Sequence, residues 1–396
     1  MKSLVIAPQP FFSPRGTPMS VYYRALVMAQ KGVEIDLLTY GEGQDVEIPN
    51  VRIIRTPRFR FLGNVKTGPS ALKLFLDFFI FWWTVGLLIR RRYDFVHAHE
   101  EAVFIALVLK PIFRFKLVYD MHSSLPEQLH NFGWSGSSLL KKMFAAFEDA
   151  ALRSANAVIT ICPALAEFAT SRITDTEKHF LIENSIYEPV RLAGKMSTDA
   201  TEVSVDDILG KLAAGGGKSA LLYAGTLETY QGIDLLLESM PVVKATSDST
   251  RLIVVGGSPQ QVEHYRSMAA GLGVDDVCIF TGRVPQAIAK GFTAKADVLT
   301  SPRTRGMNTP LKVYELLDCG KPLVATRIPS HTQVLTETVA FLAEPVPEDF
   351  AAQLVRAAND TDAVAATVAN ARQLYAEDYS PIAYGQKIDG LLDRIR

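Results

Sequence analysis

Short apolar runs alternate with amphipathic stretches of helical length along the whole chain, the pattern of parallel sheets flanked by helices. The runs predict strands at 3–7, 34–40, 51–55, 94–98, 116–120, 157–161 and 180–182, then a second series at 220–224, 252–255, 277–281, 297–301, 323–326 and 340–343. Between the series lies a weakly periodic stretch, 191–218, ending in Gly215, Gly216 and Gly217, which reads as a linker. The expected architecture is therefore α/β, two doubly wound Rossmann-like domains at 1–190 and 219–378 facing a central cleft, with a final helix at 379–396 crossing back to the first domain.

Residues 71–89, ALKLFLDFFIFWWTVGLLI, form the most apolar window and run into Arg90, Arg91 and Arg92. The length would suffice to span a bilayer. Lys73 and Asp77 near its start and the strand that resumes at 94 favour instead an amphipathic helix at a membrane surface. A helix covered by its own sheet, with a solvated basic rim, is the other reading. From 52 to 116, twelve Lys or Arg face four acidic residues, a local excess of +8 that suits anionic lipid or phosphate headgroups.

Composition narrows the function classes. With 396 residues, 48% of them hydrophobic, the chain can bury large cores, and a formal net charge of -1 gives no general reason to expect nucleic acid as a partner. Cys162, Cys278 and Cys319 are widely spaced in apolar surroundings, as buried small hydrophobes are, which fits a reducing compartment. Only Lys2 precedes the strand-like KSLVIAP, too little for a signal peptide, so the expected location is the cytoplasm, at the inner face of the plasma membrane.

Two segments carry candidate chemistry. After the first strand, Gly16 and Thr17 end a loop with Pro18 placed to open a helix, Thr17 being its expected cap; helix N-termini at sheet edges attract anions. In RTRGMNTPLKVYELLDCGKPLVAT, residues 303–326, Thr309 and Pro310 read as cap and first residue of a helix that Gly320 and Pro322 close. Leu316 and Leu317 take the face that packs on the sheet, leaving the Glu315 carboxylate on the cleft side, where it suits a ribose diol.

The segments YAGTLETYQGIDLLLESM (223–240), VVGG (254–257), FTGRVP (280–285), ADVLTSP (296–302) and 306–326 resemble, in order and spacing, the donor-binding domain of family four retaining glycosyltransferases of GT-B fold. The Gly16 loop, DFVHAHEE (94–101), YDMHSSLPE (119–127), AVITICPALAEF (157–168) and LIENSI (181–186) are similar to that family's first domain. The resemblance implies retaining, metal-independent transfer without a cofactor, from a UDP- or GDP-linked sugar to a membrane-associated glycan or lipid-linked acceptor. It places Glu315 at the second Glu of the family's E-x7-E motif and Met307 at the first, so one ribose contact is missing. The family's diphosphate-binding Arg and Lys fall at Thr226, after Gly225, and at Gln231. Lys312 is the expected substitute, with Arg283, Arg303 and Arg305 behind it and the amides of Gly306, Met307, Asn308 and Thr309 as further donors. His122 matches the family's histidine beside the transferred sugar; His99 and Glu100 are acceptor-side candidates, and His97 is read as core. No cluster of Asp or His with ligand spacing is read from the sequence, so no metal site is expected. A sugar-nucleotide epimerase and a non-catalytic binding or scaffold subunit are the rival readings.

Overall fold

The computed structural model describes residues 1–13, 16–59, 65, 70–124, 138–183, 190, 205–214, 216, 219–247 and 249–396. Most of the predicted linker, the end of LIENSI, residues 125–127, Arg60 and Lys66 lie outside them. The chain divides into two compact units, Met1–Met196 with Pro381–Arg396, and Ser197–Ser380.

In unit 1, seven strands form one sheet in the order β3-β2-β1-β4-β5-β6-β7: β1 Lys2–Ala7, β2 Glu34–Thr39, β3 Val51–Arg55, β4 Phe95–His99, β5 Lys116–Met121, β6 Ala157–Thr160 and β7 His179–Leu181. Neighbours pair in parallel throughout. Such strands are buried on both faces and tend to read as apolar runs, as LVIA of β1 does; β4 is fully buried too, although its FVHAH carries two histidines. The chain winds outward from β1 to β3 and then restarts at β4 on the other side of β1. That reversal opens a crevice at the carboxyl ends of β1 and β4, the usual ligand position in such sheets. Helices α1 (Gly16–Gln30), α2 (Ala71–Arg90), α3 (Ala102–Phe113), α4 (Ser138–Ser154) and α5 (Pro163–Thr170) flank the sheet.

Unit 2 repeats the device with six parallel strands ordered β10-β9-β8-β11-β12-β13: β8 Ser219–Ala224, β9 Thr250–Val255, β10 Cys278–Gly282, β11 Val298–Ser301, β12 Leu323–Thr326 and β13 Phe341–Ala343. Its reversal falls between β8 and β11. Flanking helices are α6 (Val205–Ala214), α7 (Ile233–Thr246), α8 (Pro259–Gly271), α9 (Gln286–Lys295), α10 (Leu311–Asp318), α11 (Pro347–Asn359) and α12 (Thr361–Leu374). Every strand lies within two residues of its predicted ends. The linker reading needs one correction: α6 falls inside 191–218 and belongs to unit 2. Val205 and Ile208, one turn apart, pack on that unit's core, and Asp206 pairs with Lys295. The Gly-rich end of the stretch masked this short amphipathic signal.

The last helix, α13 (Pro381–Ile395), starts two residues later than predicted and packs in unit 1 against α1, β6 and β7. Ion pairs Lys387–Glu183 (2.7 Å) and Lys31–Asp389 (2.6 Å) accompany its buried apolar face.

Helix α2 carries two opposed faces. Leu76, Ile80 and Thr84 are buried against the sheet, Lys73 pairs with Glu101 at 2.6 Å, and Tyr40 donates to Asp77 at 2.6 Å. The opposite stripe leaves Leu74, Phe75, Phe78, Trp82 and Ile89 exposed, and Val108 and Ile112 of α3 with Met143 and Phe147 of α4 continue it on adjoining helices. The helix is therefore amphipathic, with one face covered by the sheet and the other exposed. The basic excess is smaller than its sequence count. Asp36 takes Arg52, Arg91 and Tyr93, Asp45 takes Arg55, and Lys110 and Lys116 donate to Asn156 and to the Ile395 carbonyl. Among the described residues, exposed Arg58, Arg90, Arg92 and Arg114 remain without an ion pair.

Candidate functional site

In unit 1 the candidates gather at the ends of β4 and β5. Parallel register sets His99 directly beside Asp120. Because side chains alternate, His97 and His99 of β4 share one face with Asp120 and with His122 just past β5. The carboxylate of Asp120 is thereby surrounded: His97 Nε2 lies 2.9 Å and His99 Nδ1 3.2 Å from Oδ2, and His122 Nε2 lies 3.1 Å from Oδ1. Arg24 of α1, fully buried, donates to Oδ2 at 2.7 Å. Arg24 and the imidazoles hold Asp120 far below the ordinary carboxylate range against the opposing effect of burial. Desolvation lowers His97 and His99, so both are neutral.

This corrects the sequence expectation that no His and Asp cluster exists, since ligand atoms of His97, His99 and Asp120 lie within 4.8 Å of one another. The cluster nevertheless suits a metal poorly. The carboxylate already faces a guanidinium, and a divalent ion among these atoms would sit against that fixed charge. The missed signal was the pair of patterns His-x-His and Asp-x-His on neighbouring strands.

Glu100 follows β4 with a left-handed backbone, φ 50°, and its amide donates to the Asp120 carbonyl at 3.0 Å. Non-glycine residues adopt this conformation where surrounding structure imposes it, often at functional sites. Burial and Glu101 raise the Glu100 pKa. Helix α1 begins at Gly16, so Thr17 is a first-turn residue rather than the cap; its hydroxyl lies 3.5 Å from Glu100 Oε1.

In unit 2 the candidates lie after β8 and β11. The Gly225 amide closes the β8 turn by donating to the Val255 carbonyl at 2.8 Å, and Tyr223 donates to the Thr226 carbonyl at 2.6 Å. A Cβ on Gly225 would stand 2.9 Å from Lys312 Nζ, so the glycine lets this ammonium reach the turn. Gln231 donates to the Thr226 hydroxyl at 3.4 Å: the two residues at the family's cation positions bond to each other. Lys312 keeps solvent contact, yet the protein around it removes enough water to lower its pKa to about 8.

The reserve cations fare differently. Arg303 turns inward, its Nε donating to the Arg305 carbonyl at 2.7 Å and its Nη1 to the Asn308 carbonyl at 3.2 Å, with its guanidinium over the Tyr230 ring. It shapes the 303–308 loop and is not a free phosphate ligand. Gln333 holds the same loop through the exposed Met307, donating to its carbonyl at 2.8 Å, and the Thr326 hydroxyl donates to the Arg303 carbonyl. The left-handed φ of Gly306, 129°, brings its Cα against Arg303. Arg305 is exposed, and Arg283 stands exposed after β10, two strands from β8.

Helix α10 starts at Leu311, with Pro310 as its cap residue, one position later than predicted. The Thr309 hydroxyl is consequently not a cap: its Oγ1 is buried and bonds to none of the described residues. The same holds for Glu315 Oε1, on a half-buried side chain whose pKa burial raises despite Lys290 and Lys312 nearby. Buried polar atoms are nearly always satisfied, so these two oxygens near one helix start are candidates for hydrogen bonds to a ligand.

Two family models match the chain. The model "Glycosyl transferase 4-like domain" matches residues 19–185, and "Glycosyl transferases group 1" matches residues 218–360. The GDP-mannose-dependent alpha-(1-6)-phosphatidylinositol monomannoside mannosyltransferase of Mycolicibacterium smegmatis is 33% identical over 118 residues, 28% of this chain and 31% of the relative. A phosphatidyl-myo-inositol mannosyltransferase of Mycobacterium leprae is 29% identical over 150 residues, 36% of this chain and 39% of the relative. The chain thus spans between about a third and two fifths of these curated relatives. In fold, it matches the crystal structure of Anabaena Alr3699/HepE in complex with UDP, with TM-score 0.72 at 17% identity over 99% of this chain and 100% of that one. Sucrose-phosphate synthase from Thermosynechococcus elongatus gives TM-score 0.74 at 18% identity, covering 100% and 98%. Both share the two-domain α/β architecture, GT-B.

Proposed function

Because the chain belongs to the group 1 glycosyltransferases of GT-B fold, we propose that it moves a sugar from a nucleoside diphosphate, UDP or GDP, to a glycan or lipid-linked acceptor with retention at the anomeric carbon. The observation that carries this reading is the orphaned pair Glu315 Oε1 and Thr309 Oγ1 beside Lys312. A ribose diol would give Glu315 two hydrogen bonds, and the diphosphate would meet the Lys312 ammonium and the α10 amides. The same residues are expected to act without a metal, cations and amides stabilising the leaving phosphate.

In the proposed reaction the bond between C1 and the phosphate oxygen breaks while the acceptor oxygen bonds to C1 from the same face. The acceptor proton passes to the departing phosphate. Protein groups orient and stabilise: His122 positions the transferred sugar, while His99 and Glu100 lie on the acceptor side. The relatives named for phosphatidylinositol acceptors favour a lipid-linked acceptor. The exposed apolar stripe of α2, α3 and α4, edged by Arg90, Arg92 and Arg114, supports seating on the cytoplasmic face of an anionic membrane.

A donor screen with product analysis tests this: a new α-linkage from an α-linked donor is expected. Free isomers of the donor sugar nucleotide without acceptor would indicate the epimerase. The Thr226–Gln231 pairing favours a second reading, a non-catalytic subunit. Calorimetry with UDP and GDP separates them, because absence of binding at millimolar nucleotide would favour the subunit.

A further inference from the structure

Side chains hold the 303–308 loop of unit 2 by its carbonyls. Four of these accept: Arg303 from the Thr326 hydroxyl, Arg305 and Asn308 from the Arg303 guanidinium at 2.7 and 3.2 Å, and Met307 from Gln333 at 2.8 Å. The amides of Arg305, Gly306 and Met307 in the loop, and of Thr309 after it, donate to none of the described residues. Peptides whose carbonyls are taken and whose amides are spare suit an anion. Thr326 is held in turn by the buried His331, whose Nδ1 lies 2.9 Å from the Thr326 carbonyl and 3.0 Å from its hydroxyl. A carbonyl can only accept, so Nδ1 carries the hydrogen, and Nε2 accepts from Ser301 Oγ at 2.9 Å. The Thr326 hydroxyl accepts from His331 and spends its own hydrogen on the Arg303 carbonyl. Burial pushes the His331 pKa down to about 4, so at neutral pH the ring stays uncharged and this chain of bonds keeps one direction.

We propose that Thr326 and Arg303, with His331 fixing the Thr326 hydroxyl, are positioning residues of the donor site: by claiming the loop's carbonyls they hold its amides for a diphosphate. The proposal rests on the reading of this loop as part of the nucleotide site. It gives Arg303 a part in binding that needs no contact with the ligand.

Calorimetry of the full chain with UDP, GDP and the nucleosides uridine and guanosine separates phosphate binding from nucleoside binding. Thr326→Val removes the hydroxyl at nearly constant volume. It should lower affinity for the diphosphate about three- to tenfold and leave that for the nucleoside unchanged, and Thr326→Ser should restore it. Arg303→Lys cannot bridge two carbonyls at once, and diphosphate affinity should fall about tenfold or more. A role in folding alone would lower the melting temperature and leave the ratio of diphosphate to nucleoside affinity as in the wild type; that ratio unchanged in either variant overturns the proposal. If Arg303→Lys does not fold, the Thr326 variants decide. Independently of any nucleotide, long-range proton-nitrogen spectra of the chain labelled with 15N-histidine should show hydrogen on Nδ1 of His331, and an Nε2–H ring also overturns the proposal. Should the wild type bind neither diphosphate, the donor reading fails and the proposal with it, whereas wild-type binding with an unchanged ratio in the variants overturns the proposal alone.

Discussion

The two units share one winding but prepare their crevices in opposite ways. At the β4/β5 ends of unit 1, a buried carboxylate meets a guanidinium and three imidazoles before any ligand arrives. After β11 in unit 2, Thr309 Oγ1 and Glu315 Oε1 are buried without partners among the described residues, and Lys312 has given up part of its hydration. A paired cluster fixes orientation, and removing one of its charges strands the other in a buried place. Orphaned groups cost stability and return it as binding free energy.

Removing the central carboxylate should give the largest effect on the paired side. Asp120→Ala leaves Arg24 buried without its partner, and a loss of about 3–5 kcal/mol is expected in denaturant unfolding. Equal stability to wild type would break the contrast. Glu315→Ala should behave in the opposite sense, losing roughly 3 kcal/mol of nucleotide affinity, more than a hundredfold, with no loss of fold. Because the folded carboxyl has a raised pKa, its charged form is penalised. The penalty is present above that pKa and vanishes below the unfolded value, so the variant should melt above wild type at pH 7 and match it near pH 4. Melting scans across pH read this directly.

Lys312→Ala sharpens the unit 2 side: turnover should drop more than about tenfold, ~1.4 kcal/mol in the barrier, at little cost in melting temperature. With its pKa lowered to about 8, the Lys312 ammonium is present below that pH and lost above it. Affinity for UDP or GDP should therefore fall as pH rises through about 8 in the wild type and stay flat in the variant, by calorimetry in matched buffers. Full turnover in Lys312→Ala would return attention to Arg305 and Arg283, the exposed reserve cations.

Between these extremes stands Asp77, whose carboxyl burial and Glu101 push up to about 7 although Tyr40 and Lys73 oppose the shift. Its desolvation penalty appears as pH rises from about 4 to 7, so Asp77→Asn should gain on wild type across that window. A constant difference in melting temperature would assign the effect to packing instead. A change in surface binding, without effect on the fold, is expected on the outer face of unit 1. Arg90→Glu with Arg92→Glu should weaken binding to vesicles containing anionic lipid by about 1 kcal/mol per arginine lost, more steeply in added salt. Unaffected co-sedimentation would leave the apolar stripe for another partner.

Much of the fold was legible because strand and helix periods are local. Apolar runs such as SLVIA and LIVV announce buried strands wherever they occur, and the order of loops around Gly225, Pro302 and Glu315 was enough to place the family. The site was legible only in part. His122, Lys312 and Glu315 were named from motif positions, but Arg303 was counted as a spare cation, and in the fold it is spent on two loop carbonyls.

What the sequence determined by itself, then, was the periodicity, the two series of strands and several helix starts to within about two residues, since each depends on neighbours a few positions away. Tertiary structure decided the charges. Asp36 pairs with Arg52 and Arg91 from 16 and 55 residues away, and Arg24 reaches Asp120 across 96. Strand register alone brings His99 beside Asp120. Coulomb interactions and hydrogen bonds depend on distance in space, and only the folded sheet sets those distances.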